Sequence, residues 1–212
     1  MSDAEDTPAP PQIYLVTPPR IELGSFAPRL AEVLDRVEIA CLRISLAETD
    51  EDEIRRAADT LRELAHARDV AVTIETHFRL VEPLGLDGVH LMDAARSVRD
   101  VRKELGPDRI IGVWCGTSRH AGMTAAEIGA DYVAFGPFSE PGALGTGKVA
   151  DPDLIRWWSE MIETPSVAEG GITPELVAEL GFSADFYALG AEIWGHPDGP
   201  VAAIRALNLL AA

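Results

Sequence analysis

Cysteine is scarce: only Cys41 and Cys115 occur in 212 residues, and both lie in apolar, strand-like runs. Two thiols so placed argue against a disulfide scaffold and fit a reducing cytoplasm. Long apolar runs are absent too, and none reaches the roughly 18 residues that a membrane-crossing helix needs, so no membrane partner is expected. The opening Met1-Ser2-Asp3-Ala4-Glu5-Asp6 lacks the basic and apolar segments of a secretion leader. Residues 1–11 read instead as a flexible polar arm. Positive charge is in deficit: 18 Lys and Arg stand against 35 Asp and Glu, a formal charge of −17, which disfavours nucleic acid as a main partner. Lysine itself is limited to Lys103 and Lys148. A Gly-x-Gly-x-x-Gly turn is also missing after the first strand-like run, where Thr17-Pro18-Pro19-Arg20 stands, and this weakens a doubly wound dinucleotide-binding fold.

What is present is alternation. Apolar residues make up 47% of the chain, enough for one large core. Strand-like and helix-like segments follow one another from end to end. The strands are centred on Ile13–Thr17, Val37–Ile44, Val70–Ile74, Gly88–Leu91, Ile110–Cys115, Tyr132–Phe135, Ser166–Glu169 and Phe186–Leu189. Helices are expected near Phe26–Asp35, after a Thr49 cap, around Val98–Leu105, at Leu154–Met161 and from Pro200 to Leu210. In the second, Ile54, Ala58, Leu61 and Ala65 recur on one face while Arg55, Arg56, Arg62 and Glu63 face water. Eight such pairs predict an α/β fold, a single (β/α)8 TIM barrel over residues 12–212. Asp87, Asp131 and Asp185 each precede a strand after a glycine-ended helix, the pattern of a barrel floor, and are read as structural.

Barrel chemistry is done at strand ends. The stretch Ser166-Val167-Ala168-Glu169-Gly170-Gly171-Ile172-Thr173-Pro174 runs from strand through a glycine pair into a capped helix start, and Leu189-Gly190 makes a second such turn on the next strand. Backbone N–H groups at Gly170, Gly171, Leu189 and Gly190 are therefore expected to share one anion, the phosphate of a small phosphorylated molecule. Arg43 and Lys148 can neutralise a phosphate or pyrophosphate. Glu75 and Asp93, with Glu169, offer hard oxygens to a divalent cation, or are simply what an acidic chain puts at strand ends. Trp114, Thr117, His90 and Glu169 are expected on the pocket wall, with His90 read either as a base or as a hydrogen-bonded core residue. Residues 136–150 are rich in glycine and carry Thr146 and Lys148, which suggests a loop over the mouth.

Tyr14-Leu15-Val16-Thr17, Gly88-Val89-His90-Leu91, Ile111-Gly112-Val113, Gly129-Ala130-Asp131-Tyr132-Val133-Ala134-Phe135-Gly136-Pro137 and Gly170-Gly171-Ile172-Thr173-Pro174 together resemble the thiamine-phosphate synthase and thiazole tautomerase superfamily, from Ile13 to Leu210. The resemblance implies a Mg²⁺-assisted transfer that joins a pyrimidine pyrophosphate to thiazole phosphate and expels pyrophosphate through a carbocation-like step. It also implies departures. Of the second-strand glutamine-x-arginine-x-lysine only Arg43 remains, in Cys41-Leu42-Arg43-Ile44-Ser45. The third-strand asparagine-aspartate pair falls on Glu75-Thr76. The second metal aspartate falls on Ala95, with Asp93 two residues earlier. The fifth-strand serine falls on Trp114 and the histidine after it on Gly116, while Thr117 is kept. The tautomerase histidine falls on Pro137. Two readings follow: a synthase with Arg43, Lys148, Glu75 and Asp93 as its working groups, or a barrel that binds a small phosphorylated ligand without this chemistry. A homodimer is compatible with either.

Overall fold

A computed structural model describes residues 9–48, 50–139 and 147–209. Eight parallel strands close into a barrel in sequence order, β1 through β8, with β1 pairing β8. The strands are β1 Gln12–Val16, β2 Cys41–Ile44, β3 Ala71–Glu75, β4 Gly88–Leu91, β5 Ile110–Gly116, β6 Tyr132–Phe135, β7 Ser166–Glu169 and β8 Phe186–Leu189. The helices are α1 Leu23–Arg36, α2 Glu51–His66, α3 Val81–Leu84, α4 Val98–Leu105, α5 Arg119–Glu127, α6 Asp153–Met161, α7 Pro174–Leu180, α8 Ala191–Trp194 and α9 Pro200–Ala206. Among the described residues no helix is long and apolar enough to cross a membrane.

Strand alternation separates two interiors. One set of side chains, including Leu15, Leu42, Ile74, Val89, Val113, Phe135 and Leu189, packs outward against the buried stripes of the helices. The other set faces the barrel axis and includes Tyr14, Cys41, Trp114, Tyr132, Ala134, Val167 and Ala188. Gly112 is required by this inner layer: a Cβ there would lie 1.9 Å from the Tyr132 ring.

The floor is held by a repeated device. Asp87, Asp131 and Asp185 accept hydrogen bonds from the backbone N–H of Val72, Ile111 and Ser166 at 2.7, 2.7 and 2.8 Å, so each ties the start of its own strand to the start of the preceding one. A charged acceptor on a backbone donor is worth about 1.5–3 kcal/mol, and none of the three reaches the opposite end where the strands finish.

Helix boundaries differ from expectation where capping side chains decide them. α1 begins at Leu23, three residues before Phe26, because the Glu22 carboxylate accepts from the N–H groups of Gly24 and Ser25. The expected cap Thr49 lies outside the described residues, and Asp50 caps α2 through the N–H groups of Asp52 and Glu53. The last helix ends at Ala206; Leu210 lies outside the described residues. So does residue 146 of the expected mouth loop, whose stretch 140–146 is likewise not described.

Candidate functional site

At the strand ends, a cavity of about 440 Å³ opens between the loops that follow β4, β5 and β6. Asp93, Arg96, Trp114, Thr117, Pro137 and Lys148 line it. Lys148 and Thr117 are exposed, whereas Trp114 is buried against the inner layer and forms the cavity's base. Asp93 is half-buried; one carboxylate oxygen accepts from the Ser97 hydroxyl and the other, Oδ1, is enclosed with no hydrogen-bond partner among the described residues. Thr76 and Ala94, just past β3 and β4, take positive φ of 67° and 58° although neither is glycine. Such backbone costs about 1–3 kcal/mol and gathers at functional ends of folds.

Arg43, Glu75 and Glu169 converge, but beneath this cavity rather than on its wall. The Arg43 guanidinium is 1% exposed and makes a two-pronged contact with Glu169, with Nη1 donating to Oε2 at 3.0 Å and Nη2 to Oε1. Glu75 at the end of β3 stands 3.6 Å from Arg43 Nε. β2 and β7 are far apart in sequence, and closure of the barrel is what brings the two charges together. Burial works to lower the Arg43 pKa, but the charge and hydrogen bonds of Glu169 outweigh it and raise the value, so the group stays charged. Both terminal nitrogens of Arg43 are thus taken up by Glu169.

Below that pair lies an uncharged polar layer. The Tyr14 hydroxyl contacts Thr73 at 3.0 Å and Tyr132 at 2.6 Å, and the Tyr132 hydroxyl meets His90 Nδ1 at 2.9 Å. Burial, and secondarily the charge of Arg43, holds the His90 pKa well below its ordinary value, so the imidazole is neutral. Its Nε2 has no hydrogen-bond partner among the described residues. His90 is a fully buried interior residue and does not line the mouth cavity. Desolvation likewise pushes Cys41 and Cys115 up to about 12, which makes both thiols inert near neutral pH.

The two glycine turns meet. Gly171 N–H and Gly190 N–H both donate to one carboxylate, that of Glu192, at 3.1 and 2.9 Å. The segment entering the mouth loop packs on this seat: Phe138 N–H donates to Gly170 C=O at 2.8 Å, and a Cβ on Gly171 would lie 2.0 Å from the Ser139 hydroxyl oxygen. Glu192 was missed in the sequence, where the only clue is an acidic residue in the first helical turn after Gly190. Tyr132 as the partner of His90, and Tyr14 as the partner of Tyr132, were also missed, since nothing local links residues on three different strands.

The family description "Thiamine monophosphate synthase" matches residues 13–193. The chain belongs to the thiamine monophosphate synthase family. A thiamine-phosphate synthase of Rhodospirillum centenum is 43% identical over 93% of this chain and 96% of its own length, and one of Erythrobacter litoralis is 37% identical over 89% and 91%. Among solved structures, a thiamine phosphate pyrophosphorylase of Pyrococcus furiosus superposes with a TM-score of 0.78 at 21% identity, covering 94% of this chain and 97% of that one. A 3-keto-L-gulonate-6-phosphate decarboxylase of Vibrio cholerae gives 0.68 at 18% identity, covering 96% and 100%. These two structural likenesses speak to the barrel alone. For the Mg²⁺ that the resemblance implies, the donor set is thin: no group of three or more His, Cys, Asp or Glu side chains that could hold a metal occurs among the described residues. Of the two expected ligands, Glu75 stands 3.6 Å from Arg43 Nε, and Asp93 Oδ1 is buried with no hydrogen-bond partner among the described residues.

Proposed function

We propose that this protein joins a pyrimidine pyrophosphate to thiazole phosphate, releasing pyrophosphate, at the strand-end mouth of the barrel. The observation that carries this reading is the convergence of Gly171 and Gly190 N–H on a single carboxylate, because two turns that hold one anion are suited to the thiazole's phosphate. The cavity beside them supplies the remaining parts. Lys148 and Arg96 provide positive charge for the departing pyrophosphate, Thr117 a hydroxyl donor, and Trp114 a flat face for the pyrimidine ring. In the reaction the C–O bond to pyrophosphate breaks with both electrons leaving on oxygen. The thiazole nitrogen then donates its lone pair to the pyrimidine methylene carbon, forming the C–N bond. What the protein contributes is position and charge: it holds the two rings in line and excludes water while the cation lasts. Mg²⁺, when bound, would neutralise the pyrophosphate, and Asp93, on the cavity lining, is the carboxylate that would hold it. These events fit a cytoplasmic enzyme that meets small phosphorylated substrates.

A second reading, a barrel that binds thiazole phosphate without turnover, is favoured by Arg43. Its guanidinium is engaged by Glu169, so the arginine retained from the family's second-strand motif is not free in the mouth. One experiment separates the two. Both precursors are supplied with Mg²⁺, and thiamine phosphate and pyrophosphate are measured alongside calorimetric binding of thiazole phosphate. Equal amounts of both products over many turnovers, reduced by about tenfold or more in Lys148→Ala, are expected; loss of one charge-assisted contact of about 1.5–3 kcal/mol corresponds to that scale. Stoichiometric thiazole-phosphate binding with no product above a protein-free control would overturn the synthase reading in favour of the binder.

A further inference from the structure

We propose that Glu192 is a built-in competitor for the anion seat: its carboxylate occupies the position of the ligand's phosphate, must be displaced for that ligand to bind, and returns to eject it. The inference rests on the proposed use of the Gly171 and Gly190 turns for phosphate.

The geometry is that of a bound anion. Each carboxylate oxygen takes one N–H, Oε1 from Gly171 at 3.1 Å and Oε2 from Gly190 at 2.9 Å, and the two donors come from turns on different strands. A helix-capping side chain needs only its own helix, and Gly190, the residue before α8, would satisfy that role alone. Gly171 lies 21 residues away, so the second contact has no part in capping α8. The same two donors cannot serve a phosphate and Glu192 at once. Gly171 is also enclosed on its other side by Ser139, which limits approach to the seat from there.

The consequence for affinity follows from mass action. A ligand that needs the empty seat binds with its intrinsic dissociation constant divided by the fraction of molecules in which the seat is vacant. If Glu192 fills the seat in about nine molecules of ten, binding of any phosphate-bearing ligand is weakened about tenfold. A thiazole alcohol without phosphate leaves Glu192 in place and escapes this penalty. The benefit lies in release. When phosphate departs from a partly buried seat, two backbone donors would be stranded, and a tethered carboxylate that takes them over removes that cost from the exit step. Glu192 is thus an affinity-setting residue: it keeps a phosphorylated product from being held too long.

The test uses the full chain and three variants, Glu192→Ala, Glu192→Gln and Glu192→Asp, the last retaining charge on a shorter arm. Circular dichroism melts establish that each is folded. Binding of thiazole phosphate, of inorganic phosphate and of the unphosphorylated thiazole alcohol is measured by calorimetry, and release rates by stopped flow. Amide signals of Gly171 and Gly190 are followed by ¹H–¹⁵N spectroscopy. Glu192→Ala is expected to bind thiazole phosphate about tenfold or more tightly than the native chain, with a slower release rate and an unchanged affinity for the alcohol. The Gln variant should fall between, and the two glycine amide signals should move in the ligand-free variants. Unchanged or weaker thiazole-phosphate binding in the folded Ala and Gln variants, with native binding intact, overturns the competitor role and leaves the phosphate seat standing. Absence of any phosphate-dependent shift at Gly171 and Gly190 in native and variant chains alike overturns both.

Discussion

Replacing Glu169 by alanine tests how the centre of the barrel is held together. The native pair is almost fully enclosed, with side-chain exposures of 2% for Arg43 and 5% for Glu169. Deleting one member of such a pair leaves an uncompensated charge, and the usual cost is about 3–5 kcal/mol. Glu75 at 3.6 Å remains to the orphaned guanidinium and is itself 26% exposed, so it offers partial relief and places Glu169→Ala toward the lower end of that range. For a domain of this size about 2–4 °C of melting temperature accompanies each kcal/mol, giving a drop of roughly 6–12 °C for a loss of about 3 kcal/mol. Replacing both partners with Met should cost less than Glu169→Ala alone, because no bare charge is then left inside. Thermal and urea melts of Arg43→Met, Glu169→Met and the double variant, beside Glu169→Ala, complete the cycle. A Glu169→Ala loss below about 1 kcal/mol, or a double variant less stable than both singles, would refute the claim that this pair is a buried, mutually dependent unit.

The neutral His90 imidazole predicts a pH effect of definite sign. Its native pKa is depressed and the unfolded value is near 6.5, so the unfolded chain binds more protons between the two. Stability contributed by His90 is therefore complete above about pH 6.5 and declines as pH falls toward the depressed native value. Denaturant melts at stepped pH should show His90→Gln with a shallower fall than the native chain from pH 6.5 to 5; equal slopes would contradict it. The two thiols, both pushed up to about 12, should resist a disulfide reagent at pH 8 in the folded protein and both react in denaturant, as absorbance will show. Gly171→Ala should abolish binding of thiazole phosphate while Gly129→Ala does not. The first adds a Cβ 2.0 Å from Ser139 Oγ at φ +75°, and the second has nothing within 4 Å at φ +100°, so calorimetry of the pair separates crowding at the seat from backbone strain alone.

The sequence by itself determined the barrel. Strand-like runs alternating with helical faces such as Ile54, Ala58, Leu61 and Ala65 are local patterns, and a period of 2 or 3.6 can be read without knowing what packs against it. The floor aspartates were legible for the same reason, since Asp87, Asp131 and Asp185 act on strand starts within 15–20 residues of their own positions. The glycine turns at Gly171 and Gly190 were legible as anion donors, because a backbone N–H depends on no particular side chain. Only the tertiary structure decided what the charged side chains do. Arg43 and Glu169 are separated by 126 residues, and their pairing exists because β2 and β7 face one another across a closed barrel. His90, a plain alternative between base and core residue in the sequence, became a neutral interior group because Tyr132, 42 residues on, and the space left by Gly112 fix its partner. Glu192 was invisible as an occupant of the seat for the same physical reason. A carboxylate's reach of a few ångströms is set by which strand ends the fold makes adjacent, and the chain order alone does not state that adjacency.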